Sequence, residues 1–474
     1  MAKKFITFLG TNQYLHCKYK IDIKDNSSEE GKYYKDKNDL SDLNSNKNQN
    51  YIISKPVRYV QEALADFYCK NWSSDDVFLV LATEGENGSI KKNWKSGSIS
   101  KYDKYGQEYE KEPKGLKDRL NDLRLPCKIE MVPIPDGTKE GEIWKIIEMV
   151  TTRINNKDEL YIDITHSFRF IPMIIPPLIT FLKTIKDIRL HSIHYGAFET
   201  LGSNQEVCNM KIDGRIAPIR ELTELYSMIE WAEATNAFIQ FGSGKELNKK
   251  LEVAKTNIED NKISNRIKPI IHNIRKIDEA LKFNNVSELK QTDNLKLEKK
   301  INIDKAPNLY PLKEILPMLE NYLYQWSNDK VENGLLATKW SIEKDRVAQA
   351  LTFLQEAIID YFIKLFGWED EKEYRNIVFF VLQVKVREKN KNEFNNSELK
   401  EWFAENIDLT IKTLNNYNND FIKKILKINN WRNMVNHAKK GDRKDIIKNF
   451  PHIFNEISKN FGYDINIDID LNKK

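Results

Sequence analysis

The residues best suited to chemistry lie near the carboxyl end of the sequence, in the run NNWRNMVNHAKKG. Arg432, Asn433, Asn436 and His437 surround the apolar Trp431 there. Histidine exchanges a proton near neutral pH, and arginine clamps a phosphate and stabilises the charge that develops on its oxygens. We therefore interpret Arg432 and His437 as catalytic candidates for chemistry at a phosphate, with Asn433 orienting the histidine or the phosphate.

The spacing of these residues limits what one helix can do. Arg432 and Asn436 are four residues apart, as are Asn433 and His437, so each pair shares a helix face. Arg432 and His437 are five residues apart, which is too far around the helix for one tight pair. A two-fold partner would bring two such helices together over one cleft, and this favours a homodimer or a higher homo-oligomer.

Positive charge is concentrated around the same residues. The chain of 474 residues has a formal charge of only +5, from 75 Lys and Arg against 70 Asp and Glu. Lys423–Lys448 alone holds nine Lys or Arg and two Asp, a net charge of +7, so the rest of the chain sums to −2. This basic stretch fits a nucleic-acid partner, although a solvated helix face is the simpler explanation of lysine runs.

A second group of polar residues follows strand-like runs in the first 200 residues. These runs are Phe5–Leu9, Val77–Ala82, Leu160–Ile164 and Ile188–Tyr195. They alternate with helical patterns such as Ile171–Leu182, and this alternation is typical of a doubly wound, Rossmann-like α/β sheet. In open sheets of this kind, ligands bind beyond the carboxyl ends of the strands.

The turn after Leu160–Ile164 is the most informative of these strand ends. Hydroxyls, an imidazole and a guanidinium crowd the start of the next helix, and such groups suit a phosphate or another anion. Ser and Thr are also ordinary helix caps, and Asp163 could simply anchor a loop, so the structural alternative stays open. The candidate ligand-binding residues are Gly10, Thr11, Asn12, Thr83, Glu84, Thr165, His166, Ser167 and Arg169.

Two polar stretches, residues 25–50 and 89–115, interrupt this region, and we interpret both as surface excursions without a chemical motif. From about residue 217 the strand signals mostly vanish, and helical periodicity predicts an all-α carboxyl-terminal part. The main helical patterns are Ile219–Phe241, Asp345–Phe366, Ser397–Leu414, Phe421–Ala438 and Asp442–Phe461.

Cysteine usage and hydropathy favour a cytoplasmic protein. The four Cys are scattered without C-x-x-C spacing, which fits a reducing compartment. The apolar run at Phe5 is short and lacks a small-residue cleavage site, so we expect no signal peptide. The longest apolar stretch, Phe170–Leu182, is too short to span a bilayer, so we expect no membrane partner.

The segment LYIDITHSFRFIP, residues 160–172, resembles the DxTHG motif of the CRISPR-associated Rossmann-fold (CARF) proteins. Asp163, Thr165 and His166 match the motif, and Ser167 stands where the family usually has glycine. LGTNQY at 9–14, RYVQEALADF at 58–67 and ELTELYSMIEWAEA at 221–234 are also similar, so the resemblance covers about 240 residues. It implies a domain that binds cyclic oligoadenylates, second messengers made by type III CRISPR complexes, across a two-fold dimer interface.

The run around Arg432 and His437 is similar to the R-x4-H pattern of HEPN ribonucleases, with Asn433 after the arginine. The resemblance implies cleavage of single-stranded RNA. The RNA 2′-OH would be the nucleophile, and the product would be a 2′,3′-cyclic phosphate. No cluster of carboxylates with metal-ligand spacing accompanies the run, so we expect no metal and no other cofactor.

The combined prediction is an α/β Rossmann-like CARF domain followed by an all-α HEPN domain. We expect a CARF-like domain at residues 1–215, a helical linker at 216–334 and a HEPN-like ribonuclease domain at 335–474. Two alternatives remain open. The first is a non-catalytic regulator that only binds cyclic oligoadenylate. The second is an additional ring-nuclease activity in the CARF-like domain.

Overall fold

The chain forms two compact units, Met1–Met228 and Ile229–Lys474. The structure is a computed structural model, and it describes residues 1–22, 51–166, 171–256, 261–291, 309–395, 399–437, 441 and 443–468. The predicted polar excursion at 25–50 therefore lies outside the described residues. None of the described helices is long and apolar enough to cross a membrane.

An eight-stranded sheet is the centre of the first unit. Its strands are β1 Lys3–Leu9, β2 Lys18–Asp22, β3 Tyr51–Ile53, β4 Val77–Thr83, β5 Lys128–Ile134, β6 Glu159–Asp163, β7 Arg189–Gly196 and β8 Ile216–Glu221. The strand order is β3-β2-β8-β7-β6-β1-β4-β5. Strands β5, β4, β1, β6 and β7 are parallel, whereas β8 is antiparallel to β7 and β3 is antiparallel to β2. The sheet is thus mixed and mostly parallel.

The helices of this unit are α1 Val60–Tyr68, α2 Lys104–Tyr109, α3 Leu116–Asp122, α4 Glu140–Thr151, α5 Ile171–Lys186 and α6 Asn204–Cys208. On one face of the sheet, Phe5, Phe78 and Tyr161 pack in one buried cluster with Leu64 of α1 and Leu116 of α3. Because side chains alternate along a strand, the neighbouring apolar residues of β1 and β4 point to the opposite face. Both faces of the central strands are buried, which explains their continuous apolar runs.

The α/β class and the four strand-like runs of the sequence are confirmed. Four strands were not predicted, namely β2, β3, β5 and β8. The predicted helix Ile219–Phe241 is wrong at its start, because Ile216–Glu221 pairs with β2 and β7 and the helix begins at Thr223. The apolar residues of Ile216–Glu221 are too few for their spacing to distinguish a short strand from the first turn of a helix.

The stretch 89–115 is not the simple surface excursion that its composition predicts. It contains a short π-helix, Ile90–Trp94, in which Asn93 and Trp94 are buried. Asp103, which is 0% exposed, forms a bidentate ion pair with Arg215, also 0% exposed, immediately before β8. Buried charge therefore ties this stretch to the sheet.

All regular secondary structure that the structure describes beyond β8 is helical, as predicted. The helices are α7 Thr223–Phe241, α8 Lys245–Thr256, α9 Asn261–Lys282, α10 Tyr310–Leu323, α11 Lys330–Glu343, α12 Val347–Phe366, α13 Lys372–Lys385, α14 Lys400–Thr413, α15 Asn419–Asn436 and α16 Arg443–Asn460. Their apolar faces form two large buried clusters, one centred on α7 to α10 and one on α11 to α16.

Candidate functional site

The polar strand ends of the first unit meet at one edge of the sheet. The loop Gly10–Asn12 follows β1, Glu84 follows β4, and Thr165 and His166 follow β6. Strands β1 and β6 are adjacent and parallel, and from them the chain winds outward in opposite directions, β4 and β5 on one side and β7 on the other. This is the topological switch point at which open α/β sheets bind ligands.

Asp163 is an anchor for the loop after β6. Its buried carboxylate accepts hydrogen bonds from the hydroxyl of Thr7 at 2.6 Å and from the backbone N–H of Thr165 at 3.0 Å. The Thr165 hydroxyl also donates to Asp163 and accepts the backbone N–H of Gly196 at 2.7 Å. Burial raises the pKa of Asp163, although the hydrogen bonds from Thr165 and Thr7 oppose this shift. The loop-anchor alternative therefore describes Asp163 well.

His166 lies close to the loop after β1. Its ring is 4.4 Å from the ring of Tyr14, centroid to centroid. A Cβ on Gly10 would lie 2.5 Å from the Tyr14 hydroxyl, so a larger residue here would force the Tyr14 side chain to move. Burial lowers the pKa of His166 to about 3, and within the described chain its Nε2 atom has no hydrogen-bond partner. His166 is thus a neutral imidazole with one unused hydrogen-bonding position.

Of the remaining predicted ligand residues in the described chain, one is buried in hydrogen bonds within the protein and the others are at least partly exposed to solvent. Thr83 is buried. Its backbone N–H donates to the Ser89 hydroxyl at 2.8 Å, and its own hydroxyl accepts the backbone N–H of Ser89 at 2.9 Å. Asn12 and Glu84 are exposed, and Thr11 is half-buried. Ser167 and Arg169 lie outside the described residues.

Two residues that sequence reasoning did not single out also belong to this edge. Tyr14 packs on His166, and Asn93 donates hydrogen bonds to the backbone carbonyls of Gly10 and Asn12. Tyr14 lies in the LGTNQY run quoted above and could have been found there. Asn93 is more than 80 positions away from the loop that it contacts, and no local pattern marks it.

The second candidate site lies at the carboxyl end of α15. Arg432 donates through Nη1 to Oδ1 of Asn433 at 3.2 Å, while its buried Nε atom has no hydrogen-bond partner within the described chain. His437 is the C-cap residue, its backbone N–H donates to the carbonyl of Asn433 at 3.2 Å, and its side chain is exposed. Arg432 and Asn433 are thus in contact. In the described chain, no contact joins the His437 imidazole to the Arg432 guanidinium.

Helix α12 positions α15. The Gln355 amide donates to Asn429 at 3.1 Å, and the Asn436 amide donates to the Thr352 hydroxyl at 3.3 Å. The later residue of α15, Asn436, contacts the earlier residue of α12, Thr352, so the two helices run antiparallel. Trp431 is buried and anchors the other side of α15 in the carboxyl-terminal core, which leaves His437 at the surface.

Part of the basic charge near this helix is already paired. Lys427 forms an ion pair with Asp445 at 2.9 Å, and Lys424 forms one with Asp420 at 2.8 Å and another with Glu456 at 3.1 Å. These lysines therefore present a weaker positive field than the charge count indicates. Among the described residues, no three His, Cys, Asp or Glu side chains come together as metal ligands.

The protein thus combines an α/β sheet that has polar residues at the carboxyl ends of its central strands with an all-helical second part that has a basic stretch near its carboxyl end. No protein-family model matches the chain. A search of curated proteins finds similarity to CRISPR-associated protein MJ1674 of Methanocaldococcus jannaschii, with 23% identity over 298 residues. The similar region covers 60% of this chain and 43% of that protein, less than half of its length. The chain is therefore a distant relative of a CRISPR-associated protein.

Proposed function

We propose that this protein is a metal-independent endoribonuclease that cyclic oligoadenylate activates to cleave single-stranded RNA in type III CRISPR defence. The observation that carries the proposal is the end of α15, where an exposed His437 follows one turn after a contacting Arg432–Asn433 pair. The distant relation to a CRISPR-associated protein supports the biological setting.

The chemistry uses the nucleophile that RNA supplies. The 2′-oxygen attacks the adjacent phosphorus, the bond to the 5′-oxygen breaks, and the products are a 2′,3′-cyclic phosphate and a 5′-hydroxyl. His437 exchanges the proton that moves between these oxygens. Arg432 stabilises the negative charge that develops on the phosphate, and Asn433 orients Arg432 through its side-chain oxygen.

One copy of α15 does not provide a complete site, because the described chain has no contact between His437 and Arg432. Two copies of the helix facing each other across a two-fold axis would place a histidine and an arginine on either side of one phosphate. The proposed active form is therefore a homodimer, in agreement with the spacing of these residues in the sequence.

The carboxyl edge of the sheet is the proposed messenger site. A cyclic oligoadenylate offers phosphates and adenine edges. The sheet edge offers the half-buried Thr11, the exposed Asn12 and the imidazole of His166, whose Nε2 atom has no hydrogen-bond partner within the described chain. A group with a pKa of about 3 does not carry a proton at neutral pH. His166 is thus suited to hydrogen bonding with the ligand as a neutral imidazole.

The decisive experiment is cleavage of a labelled single-stranded RNA with and without cyclic tri-, tetra-, penta- and hexaadenylate. We expect one of these rings to stimulate cleavage by wild-type protein and no ring to stimulate His437→Ala. His452→Ala is the matched control, because His452 is also an exposed histidine of the helical unit and lies in α16. Full activity of His437→Ala, or equal loss in both variants, would refute the site assignment.

A further inference from the structure

A single buried amide holds both ends of the loop after β1. Asn93 is 2% exposed, and its Nδ2 atom donates to the carbonyl of Gly10 at 2.8 Å and to that of Asn12 at 3.0 Å. Gly10 and Asn12 are the first and last residues of the Gly10–Asn12 loop at the switch point. Two hydrogen bonds from one rigid amide group fix the distance between their carbonyl groups.

The element that holds Asn93 is also tied to the neighbouring strand. Asn93 lies in the π-helix Ile90–Trp94, an unusual form that is frequent at functional sites. Ser89, the residue before this helix, bonds reciprocally with Thr83 at the end of β4. The Tyr59 hydroxyl lies 3.5 Å from the amide oxygen Oδ1 of Asn93. The π-helix therefore connects the ends of β1 and β4.

Packing alone does not require an amide at this position. Leucine has nearly the same shape as asparagine, and burying an amide is unfavourable unless its hydrogen bonds are satisfied. Both hydrogen bonds that Asn93 donates from Nδ2 go to the loop, and neither goes to its own helix. The Asn93 amide group thus serves to hold the conformation of the Gly10–Asn12 loop.

We propose that Asn93 is a positioning residue that holds the Gly10–Asn12 loop in the conformation that accepts the cyclic messenger. This inference rests on the proposed function of the first unit and adds a residue to it. Asn93 itself is buried behind the loop and does not need to touch the ligand. Its removal therefore weakens messenger binding without changing the chemistry at Arg432 and His437.

The test compares wild-type protein with Asn93→Leu, which keeps the volume and removes the hydrogen bonds. Two hydrogen bonds of typical net strength, about 1 kcal/mol each, correspond to about a thirtyfold change in affinity. We expect the concentration of cyclic oligoadenylate that gives half-maximal RNA cleavage to rise by about that factor. The maximal cleavage rate at saturating messenger should equal that of wild-type protein.

Gln61→Met is the matched control. Gln61 is 0% exposed, and its amide donates to the carbonyl of Phe8 at 2.9 Å, within β1 and just before the loop. This variant loses a comparable buried amide, so its melting temperature reports on general loosening. We expect its half-maximal messenger concentration to stay close to wild type.

Three outcomes would overturn the inference. The first is an unchanged half-maximal concentration in Asn93→Leu. The second is an equal rise in both variants, which would indicate general loosening of β1. The third is a wild-type protein that binds none of the cyclic oligoadenylates in a direct titration, and this result would overturn the proposed messenger site as well.

Discussion

The imidazole of His166 shows how burial decides what a histidine can do. Away from the protein interior it would titrate near neutral pH, but desolvation lowers the pKa of His166 to about 3. The ring is therefore uncharged throughout the physiological range. In the proposed messenger site, this neutral ring against Tyr14 and Gly10 would recognise the ligand by shape and hydrogen bonding, and it would contribute no positive charge toward a phosphate.

This leads to a prediction for the pH dependence of messenger binding. Because a lowered pKa keeps His166 neutral above about pH 3, its charge does not change between about pH 5.5 and about pH 8. We expect the dissociation constant for the activating cyclic oligoadenylate, measured by calorimetry, to change less than about twofold across this range. An affinity that rises tenfold toward the acidic end would show that a histidinium binds the phosphate.

The sequence located some residues of this edge and not others. Thr165 and His166 were found because they follow a strand directly and match a known motif. The role of Asp163 could not be settled from the sequence, because an anchoring carboxylate and a ligand-binding one have the same local pattern. Asn93 could not be found, since its partners are brought together only by the fold.

At the scale of elements, the prediction found β1, β4 and β6, which are almost fully buried, and also β7, which is only partly buried. The continuous apolar runs of β1 and β4 identify them directly. The sequence of β2 alternates charged and apolar residues, and β3 has only three residues. The sequence of β5 has two charged residues among its first three and a proline near its end, so none of these strands forms a long apolar run. Composition also failed for the stretch 89–115, because the ion pair of its one buried charged residue, Asp103, fixes the stretch to the sheet.

The buried ion pair between Asp103 and Arg215 gives a prediction for this stretch. Asp103→Ala leaves the Arg215 guanidinium buried without its carboxylate, and breaking a buried pair typically costs about 3–5 kcal/mol. We expect a clear fall in the urea midpoint of unfolding, followed by circular dichroism. Asp213→Ala is the control, because Asp213 is 89% exposed and its ion pair with Lys18 at 2.7 Å should contribute little. Equal midpoints for the two variants would contradict the anchoring role.

At the scale of the whole molecule, the proposed activity requires two copies of the chain. The first unit exposes apolar side chains on α5 and α7, and we call these side chains together the α5/α7 face. On α5, Met173 is 78%, Phe181 50% and Ile185 45% exposed, and on α7, Leu225 is 63% and Met228 44% exposed. We propose a second copy of the chain as the occupant of the α5/α7 face, which would allow one messenger to contact both copies.

Phe181→Asp tests this arrangement. A charge at this position on α5 should shift the protein from dimer to monomer in analytical ultracentrifugation and abolish messenger-stimulated cleavage, because burying an unpaired carboxylate is costly. Phe283→Asp is the control, since Phe283 is 79% exposed and lies in the second unit. A dimer that persists in Phe181→Asp would place the interface elsewhere.

The most direct measurement is the chemistry of the RNA ends after messenger-stimulated cleavage in EDTA, analysed by mass spectrometry. The proposed use of the RNA 2′-OH, with proton exchange at His437 and phosphate stabilisation by Arg432, predicts fragments with 2′,3′-cyclic phosphate and 5′-hydroxyl ends. These fragments should appear only when a cyclic oligoadenylate is present. Cleavage that needs added metal and leaves 3′-hydroxyl ends, or no cleavage with any ring size, would contradict the account.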